Sequence, residues 1–224
     1  ELLLFRNKRN WLNSLYDKIL LGDIIQRNKV KNENALRLTM KRLAENVMQP
    51  ISYNRIANVI RTTGTSIAVS SVSDYVRYAV DACMIFSLEN YASKFVEKET
   101  VKKHYFVDNG LLSIFLLDGN TALLENLCAI HLHKKYGDKL YFYNKNIEVD
   151  FLIVDEGYAV QVSYSIYGDG KQETFDRETK ALVQLDKYLS LNRMIIVTYD
   201  EDGVVTLDNG KQIEVIPVWK WLLE

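Results

Sequence analysis

The sequence predicts an α/β protein (α+β overall), with an N-terminal winged-helix module followed by an α/β domain that has a mixed sheet. Helical periodicity dominates the first half of the chain, and short strand-like runs dominate the second. The charge also changes sign: residues 1–107 carry 17 Lys and Arg against 10 Asp and Glu, whereas residues 108–224 carry 11 against 19. We therefore expect two domains, 1–107 and 108–224, with different partners.

The first domain shows the pattern of a winged helix. Its expected elements are helices over residues 8–25 and 33–48, a short helix capped by Ser52, a helix over 70–82, and strands over 84–89 and 104–107. The last two helices are joined by a turn that contains Gly64, which is typical of a helix-turn-helix. A β-hairpin that follows a helix-turn-helix makes a winged helix.

The second domain alternates strands and helices. We expect helices over 110–117 and 121–136, strands over 139–143, 147–154 and 158–164, a helix over 171–190, strands over 193–199, 203–207 and 211–216, and a short helix over 218–223. The order helix-strand-strand-strand-helix-strand is typical of an α/β core.

Several protein classes can be set aside. Cys83 and Cys128 lie far apart in apolar surroundings, so we expect two buried free thiols and a cytoplasmic protein. No apolar run reaches the ~18 residues of a membrane span, so no membrane partner is expected. No phosphate-binding loop of the GxxxxGK[ST] type is present, so this chain alone is not expected to hydrolyse ATP. Its first residue is Glu1, which indicates a piece of a longer polypeptide.

The helix over 70–82 is a weak reader of DNA sequence. Its outward positions hold serines, one arginine, and the carboxylates Asp74 and Asp81, whereas reading the major groove calls for Arg, Lys, Asn or Gln. The cations that could instead contact phosphates are Arg37, Lys41, Arg55, Arg61, Arg77, Lys94 and Lys98. The alternative is a winged helix that contacts a protein, with solvated lysines. DNA and a protein partner therefore both remain open.

The second domain contains part of a nuclease motif. An Asp on one strand, followed on the next by a carboxylate and a Lys two residues apart, holds Mg²⁺ in nucleases of the restriction-endonuclease type. Here Asp150 is present, but Gln161 and Ser163 stand where the carboxylate and the Lys are expected. Glu125 is a candidate second metal ligand beside Asp150, and Lys180 is a candidate replacement for the missing ammonium. The alternative is an ordinary sheet surface without chemistry.

Short motifs recur in one order along the chain. They are Tyr16 with Leu20, Asp23-Ile24 and Arg27; Ile56-Ala57, Tyr75-Val76 and Met84-Ile85; Lys103, Tyr105, Asp108 and Gly110-Leu111; Leu124-Glu125-Asn126; Glu148-Val149-Asp150-Phe151; Gln161-Val162-Ser163; and Arg177-Glu178. In this order they resemble the region that follows the ATPase core in bacterial and archaeal AAA-type ATP-binding proteins. That region is a domain of unknown function with a restriction-endonuclease-like fold.

The resemblance implies an ATPase module upstream in the same polypeptide, which would bind ATP. It also implies that Glu125, Asp150, Gln161 and Ser163 correspond to a nuclease-type site. The departures at Gln161 and Ser163 predict a regulatory or binding domain that is not catalytic and has no cofactor of its own. Two alternatives remain: an active Mg²⁺-dependent nuclease that uses Lys180, and an oligomerisation scaffold for the ATPase.

Overall fold

The computed structural model describes residues 7–224, which form two compact units. Unit 1 comprises the residues up to Ser87 together with Thr100–Gly119, and unit 2 comprises Leu88–Glu99 and Asn120–Glu224. Residues 108–119 thus pack with unit 1, whereas the charge pattern predicts a boundary at residue 107.

Unit 1 is mainly helical. Its elements are α1 Lys8–Lys18, a π-helical segment Ile19–Gln26, α2 Glu33–Glu45, β1 Ile51–Ser52, α3 Tyr53–Thr62, α4 Val69–Asp81, the start of β2 Ile85–Asn90, β3 Val101–Phe106 and α6 Asn109–Ser113. β1 pairs antiparallel with β3, which lies beside β2. The short strand β1 lies between α2 and α3 and pairs with β3 at the end of the module, which is the order typical of a winged helix.

Local sequence signals explain the helices of unit 1. The Ser52 hydroxyl accepts a hydrogen bond from the Arg55 N–H, which caps α3 as expected. Asn32 caps α2 in the same way. Four of the five side chains predicted to face inward are buried on α4, namely Val72, Tyr75, Val76 and Ala79, whereas Cys83 lies beyond the end of the helix and is exposed. Helical periodicity was therefore a sufficient guide to this helix and to its buried face.

Unit 2 is built on a mixed sheet. Its further elements are α5 Phe95–Thr100, α7 Asn120–Tyr136, β4 Tyr141–Asn144, β5 Glu148–Ile153, β6 Tyr158–Val162, α8 Gln172–Leu189, β7 Arg193–Thr198, β8 Gly203–Thr206, β9 Gln212–Pro217 and α9 Val218–Trp221. The strand order is the end of β2, then β4, β5, β6, β7, β9 and β8.

The sheet of unit 2 changes direction along its width. β5 runs antiparallel to both of its neighbours, β4 and β6. β7 runs parallel to β6, and β9 runs parallel to β7. The parallel pair β6 and β7 needs a crossover connection, and α8 supplies it. The predicted order of helix, three strands, helix and strand is thus confirmed, and the fold class is α+β with a mixed sheet.

α8 packs its apolar face on this sheet. Leu182 and Leu185 on α8 are fully buried in one core cluster with Val149, Ala159 and Ile196 from three neighbouring strands. Burying a leucine side chain contributes roughly 2 kcal/mol. The same helix face carries Glu178, three residues before Ala181, so the core packing of α8 also places a carboxylate against the sheet.

Three local expectations differ from the structure. Cys128 is buried as predicted, but the prediction of a buried Cys83 is wrong. α4 ends at Asp81, and Cys83 follows in a left-handed turn with φ of 51°, which turns its side chain to the surface. The lysine-rich loop contains the short helix α5, and the first predicted helix continues in π geometry from Ile19. None of the helices in residues 7–224 is long and apolar enough to cross a membrane.

Candidate functional site

The residues of the nuclease-like motif meet around the Gln161 side chain on β6. Gln161 is buried, with 4% of its surface exposed. Its Nε2 donates to the Glu148 carbonyl at 3.1 Å and to the Glu178 carboxylate at 2.8 Å. Its Oε1 accepts from the Asp150 N–H at 2.8 Å. Because the Asp150 N–H must donate and the Glu148 carbonyl must accept, the amide has only one compatible orientation.

Asp150 closes the network from the other strand. Its carboxylate accepts a hydrogen bond from the Val162 N–H at 3.1 Å. The two strands are therefore joined twice, because the Gln161 side chain accepts from the Asp150 main chain and the Asp150 side chain accepts from the Val162 main chain. This reciprocal pairing fixes both side chains where β5 and β6 lie side by side.

Glu178 belongs to this network, although the sequence analysis did not predict it as a site residue. A surface pair between Arg177 and Glu178 is one reading of the sequence, but only 7% of the Glu178 side chain is exposed, against 69% for Arg177. Arg177 Nε donates to Glu178 Oε1 at 3.0 Å, so the two Glu178 oxygens are held by Arg177 and Gln161. Helical spacing would have found it, because Glu178 precedes the buried Ala181, Leu182 and Leu185 by three, four and seven residues.

Negative charge accumulates around this network. Burial raises the pKa of the Glu178 carboxyl; the Arg177 hydrogen bond opposes that rise, and the charges of Asp150 and Glu148 add to it. Three carboxyl groups therefore lie within electrostatic range of one another. Arg177 supplies a positive charge here, and its own pKa is raised chiefly by Glu178 and further by Asp150.

Glu125 enters the same region from α7. The residue is buried, with 4% of its surface exposed. Burial raises the pKa of the Cys128 thiol well above its usual value, and the charges of Glu125 and Asp150 raise it further. Both carboxylates thus lie close enough to Cys128 to influence one thiol. The structure therefore brings Glu125 and Asp150 into one neighbourhood of unit 2.

The other two predicted site residues point elsewhere. Ser163 is buried, and its hydroxyl donates to the Ser165 carbonyl at 3.3 Å, in the loop after β6. Lys180 is exposed and lies two residues beyond Glu178, which is roughly 200° around the helix. It therefore projects from the side of α8 opposite to Glu178, and this placement does not support its predicted role as a replacement ammonium.

The residues present do not fit the Mg²⁺ site of the nuclease motif. Within residues 7–224, no group of three or more His, Cys, Asp or Glu side chains is arranged to hold a metal ion. The Gln161 oxygen, which could have been a neutral ligand, already accepts the Asp150 N–H. Both Gln161 N–H bonds point at the Glu148 carbonyl and the Glu178 carboxylate, the kind of acceptors that a cation would otherwise bind.

The predicted nucleic-acid contacts divide into two groups. Three arginines of unit 1 are engaged within the fold: Arg37 pairs with Asp17 and Glu33, Arg77 pairs with Asp74, and Arg61 donates to the Ile67 carbonyl and to Asn58. Lys41 and Arg55 are exposed. In unit 2, Lys94 is exposed and the Lys98 ammonium lies 5.9 Å from the centre of the Tyr141 ring.

Comparison with known proteins identifies the family to which the chain belongs. The model of the family described as Domain of unknown function (DUF8612) matches residues 4–122. The chain is 30% identical over 227 residues to Uncharacterized protein MJ1544 of Methanocaldococcus jannaschii, covering 96% of this chain and 50% of that protein. An Uncharacterized protein of Haemophilus influenzae is 28% identical over 224 residues, covering 97% and 53%. The chain thus spans about half the length of these relatives. No solved structure matches significantly.

Proposed function

The chain belongs to the family described as Domain of unknown function (DUF8612), and from the order of its sequence motifs we propose that it is a non-catalytic regulatory module of a larger AAA-type ATPase. In this proposal, unit 2 keeps the frame of a nuclease domain as a rigid support. Unit 1 contacts the partner through its winged helix. The ATPase itself would lie in the remainder of the polypeptide.

The observation that carries the proposal is the hydrogen bond from Gln161 Nε2 to Glu178 at 2.8 Å. Metal-dependent hydrolysis needs carboxylates that share a cation, which activates water and stabilises the leaving oxygen. Here the neutral amide lies between the carboxylate and the neighbouring strand, and it uses both N–H bonds there. The amide thus links groups that would otherwise need a cation to lie close together.

The charge around the network supports the same conclusion. Arg177 lies within electrostatic range of Asp150, but its guanidinium is committed to Glu178. A guanidinium remains protonated at neutral pH, so it would not act as a general base. Lys180 projects from the opposite side of α8. Neither Arg177 nor Lys180 is therefore placed to act as the base that hydrolysis beside Asp150 would require.

The arginine contacts of unit 1 favour a protein partner over a specific DNA sequence. Arg77, the arginine on the outward face of α4, pairs with Asp74 on the same helix. Arg61 holds the turn that precedes α4. Reading base edges would require such arginines to be available in the major groove. Among the predicted contacts in unit 1, Lys41 and Arg55 are exposed and could bind phosphates, which would not read sequence.

A plasmid-nicking assay tests the enzymatic part of this proposal. The purified chain is incubated with supercoiled plasmid and Mg²⁺ or Mn²⁺, beside the matched variant Asp150→Ala. We expect both proteins to leave the plasmid intact. Metal-dependent nicking by the wild-type chain that disappears in Asp150→Ala would overturn the proposal and support the alternative hypothesis of an active nuclease.

A salt series tests the partner. Fluorescence anisotropy of a labelled duplex is measured with the chain at increasing ionic strength, for wild type and for Lys41→Ala with Arg55→Ala. We expect weak binding at low salt, equal for unrelated sequences, that fades as salt rises. A sequence preference that persists at physiological salt would contradict the protein-partner proposal.

A further inference from the structure

A recess in unit 2 lies apart from the Gln161 network. Its volume is about 260 Å³. The end of α7, the beginnings of β6 and β7, and the end of α9 surround it. It is slightly smaller than the pockets that usually hold drug-sized ligands, which suits a single small metabolite.

The floor of the recess is aromatic. Trp221 is buried, and its Nε1 donates to the Tyr158 hydroxyl at 2.9 Å. The His131 ring lies 4.9 Å from the Trp221 ring, centre to centre. Burial lowers the pKa of His131, and the nearby Lys135 and Lys134 lower it further, so this ring is neutral at neutral pH. Trp221 and Tyr158 are buried beneath this floor, and the partly exposed rings of His131 and Tyr136 provide its aromatic surface.

Two positively charged side chains, Arg193 and Lys135, line the recess and have N–H donors that are not used within the fold. The Arg193 guanidinium lies 5.6 Å from the centre of the Tyr158 ring, and its Nε and one Nη bind Glu214 and Glu224. Within the described part of the chain, its other Nη has no recorded acceptor. The Lys135 ammonium lies 5.5 Å from the centre of the Tyr136 ring and forms no ion pair with any residue from 7 to 224. Both groups can therefore accept an anionic partner.

Carboxylates with unused acceptors line the same recess. The Tyr136 hydroxyl donates to one oxygen of Glu156 at 2.9 Å, and Arg193 binds one oxygen of Glu224 at 2.9 Å. Among residues 7–224, the second oxygen of each has no recorded donor. The recess therefore combines two cations and two carboxylates around an aromatic floor, so neither a simple anion nor a simple cation matches it.

We propose that this recess binds a zwitterionic α-amino acid with an apolar or aromatic side chain. Its carboxylate would bind Arg193 and Lys135, and its ammonium would bind Glu156 and Glu224. The side chain would lie on the aromatic floor, against the partly exposed rings of His131 and Tyr136. Charge complementarity at both ends selects the zwitterion. A ligand with one charge would leave unpaired either the unused donors of Arg193 and Lys135 or the unused acceptors of Glu156 and Glu224.

Isothermal titration calorimetry with L-phenylalanine tests this proposal directly. Two analogues separate the charges: phenylpropionate lacks the ammonium, and phenethylamine lacks the carboxylate. We expect saturable binding of phenylalanine and at least a tenfold weaker affinity for either analogue, in line with the loss of a hydrogen bond to a charged group. No saturable heat with phenylalanine, or equal affinity for an analogue, would overturn the proposal.

Matched variants locate the binding. Lys135→Ala and Glu156→Gln change exposed side chains of the recess, and both are expected to fold. Each should weaken phenylalanine binding by about tenfold. Lys134→Ala removes an exposed lysine that does not line the recess and should leave the affinity unchanged. An equal loss in Lys134→Ala would place the binding outside the recess and contradict the proposal.

Discussion

The Gln161 side chain donates an N–H to the Glu178 carboxylate at 2.8 Å, within a network that also joins Gln161 to the main chain of β5. A carboxylate in place of this amide would face the Glu148 carbonyl and the Glu178 carboxylate without a donor. The neutral side chain at position 161 therefore matches the buried charge at position 178. The two residues are best understood as one structural pair.

Gln161→Glu should break this pair. Two buried carboxylates would then face each other, and we expect the free energy of unfolding at neutral pH to fall by about 3 kcal/mol. Urea unfolding followed by circular dichroism measures the loss. Gln161→Met is the matched control, since it removes the hydrogen bonds but adds no charge. Mn²⁺ should restore part of the stability in Gln161→Glu only, and an equal metal response in both variants would contradict this account.

Glu178→Gln should change how stability depends on pH. Burial raises the pKa of the Glu178 carboxyl above its ordinary value of 4.5, so the folded state holds this proton more tightly than the unfolded state. The contribution of this residue to stability is therefore fully present below pH 4.5 and is lost as the pH rises through the folded-state pKa. Relative to wild type, Glu178→Gln should gain stability as the pH rises from 4.5 towards neutrality.

Urea titrations at several pH values test this expectation. Glu173→Gln on the same helix is the control, because Glu173 is exposed and its removal should leave the pH profile unchanged. A difference between Glu178→Gln and wild type that does not vary with pH would show that the carboxyl titrates alike in the folded and unfolded states.

His104 should give the opposite pH dependence in unit 1. It is buried, its Nδ1 lies 2.8 Å from the Ser87 hydroxyl, and its ring stacks on Tyr53. Burial, assisted by Lys102, lowers the pKa of His104 to about 3. Because the unfolded state binds this proton near pH 6.5, stability is fully present above that pH and is lost as the pH falls towards the folded-state pKa.

The size of the His104 effect can be measured with His104→Asn, which cannot titrate. Between pH 7 and pH 5 we expect wild type to lose about 2 kcal/mol through this residue. His104→Asn should lack that loss, so its unfolding free energy should change less over the same interval. Parallel pH profiles for the two proteins would mean that His104 titrates alike in the folded and unfolded states, which would contradict this account.

Arg61 should matter for stability and not only for binding. Its guanidinium donates to the Ile67 carbonyl at 2.9 and 2.7 Å, which holds the turn between α3 and α4. Arg61→Ala should lower the free energy of unfolding by about 1–2 kcal/mol, since it removes a charge-assisted hydrogen bond. The exposed Arg55, changed to Ala, should leave stability unchanged. A thermal melt compares the two, and equal melting temperatures would contradict this role.

Much of the fold follows from patterns in the sequence. The buried positions of α4 and α8 recur at helical spacing, and the turn between β5 and β6 contains Gly157 in the left-handed conformation. The misplacement of Cys83 has a local cause. The apolar spacing of α4 continues past Asp81, but the chain leaves the helix there, so periodicity assigns an inward position to a residue that is already in a turn.

The candidate site was only partly visible in the sequence. The distance between Asp150 and Gln161 along the chain predicted that they would meet on neighbouring strands. The role of Glu178 depends on which face α8 turns to the sheet, and a motif search that looks only for metal ligands passes over it. The unoccupied sides of Arg193 and Lys135 depend on tertiary packing around the recess and could not be predicted from spacing.

The central claim is that Gln161 takes the place of a metal-binding carboxylate. Calorimetric titration of Mn²⁺ into wild type, Gln161→Glu and Asp150→Ala at neutral pH tests it most directly. The account predicts no saturable binding by wild type or Asp150→Ala, and saturable binding by Gln161→Glu. Saturable Mn²⁺ binding by the wild-type chain that is lost in Asp150→Ala would contradict it.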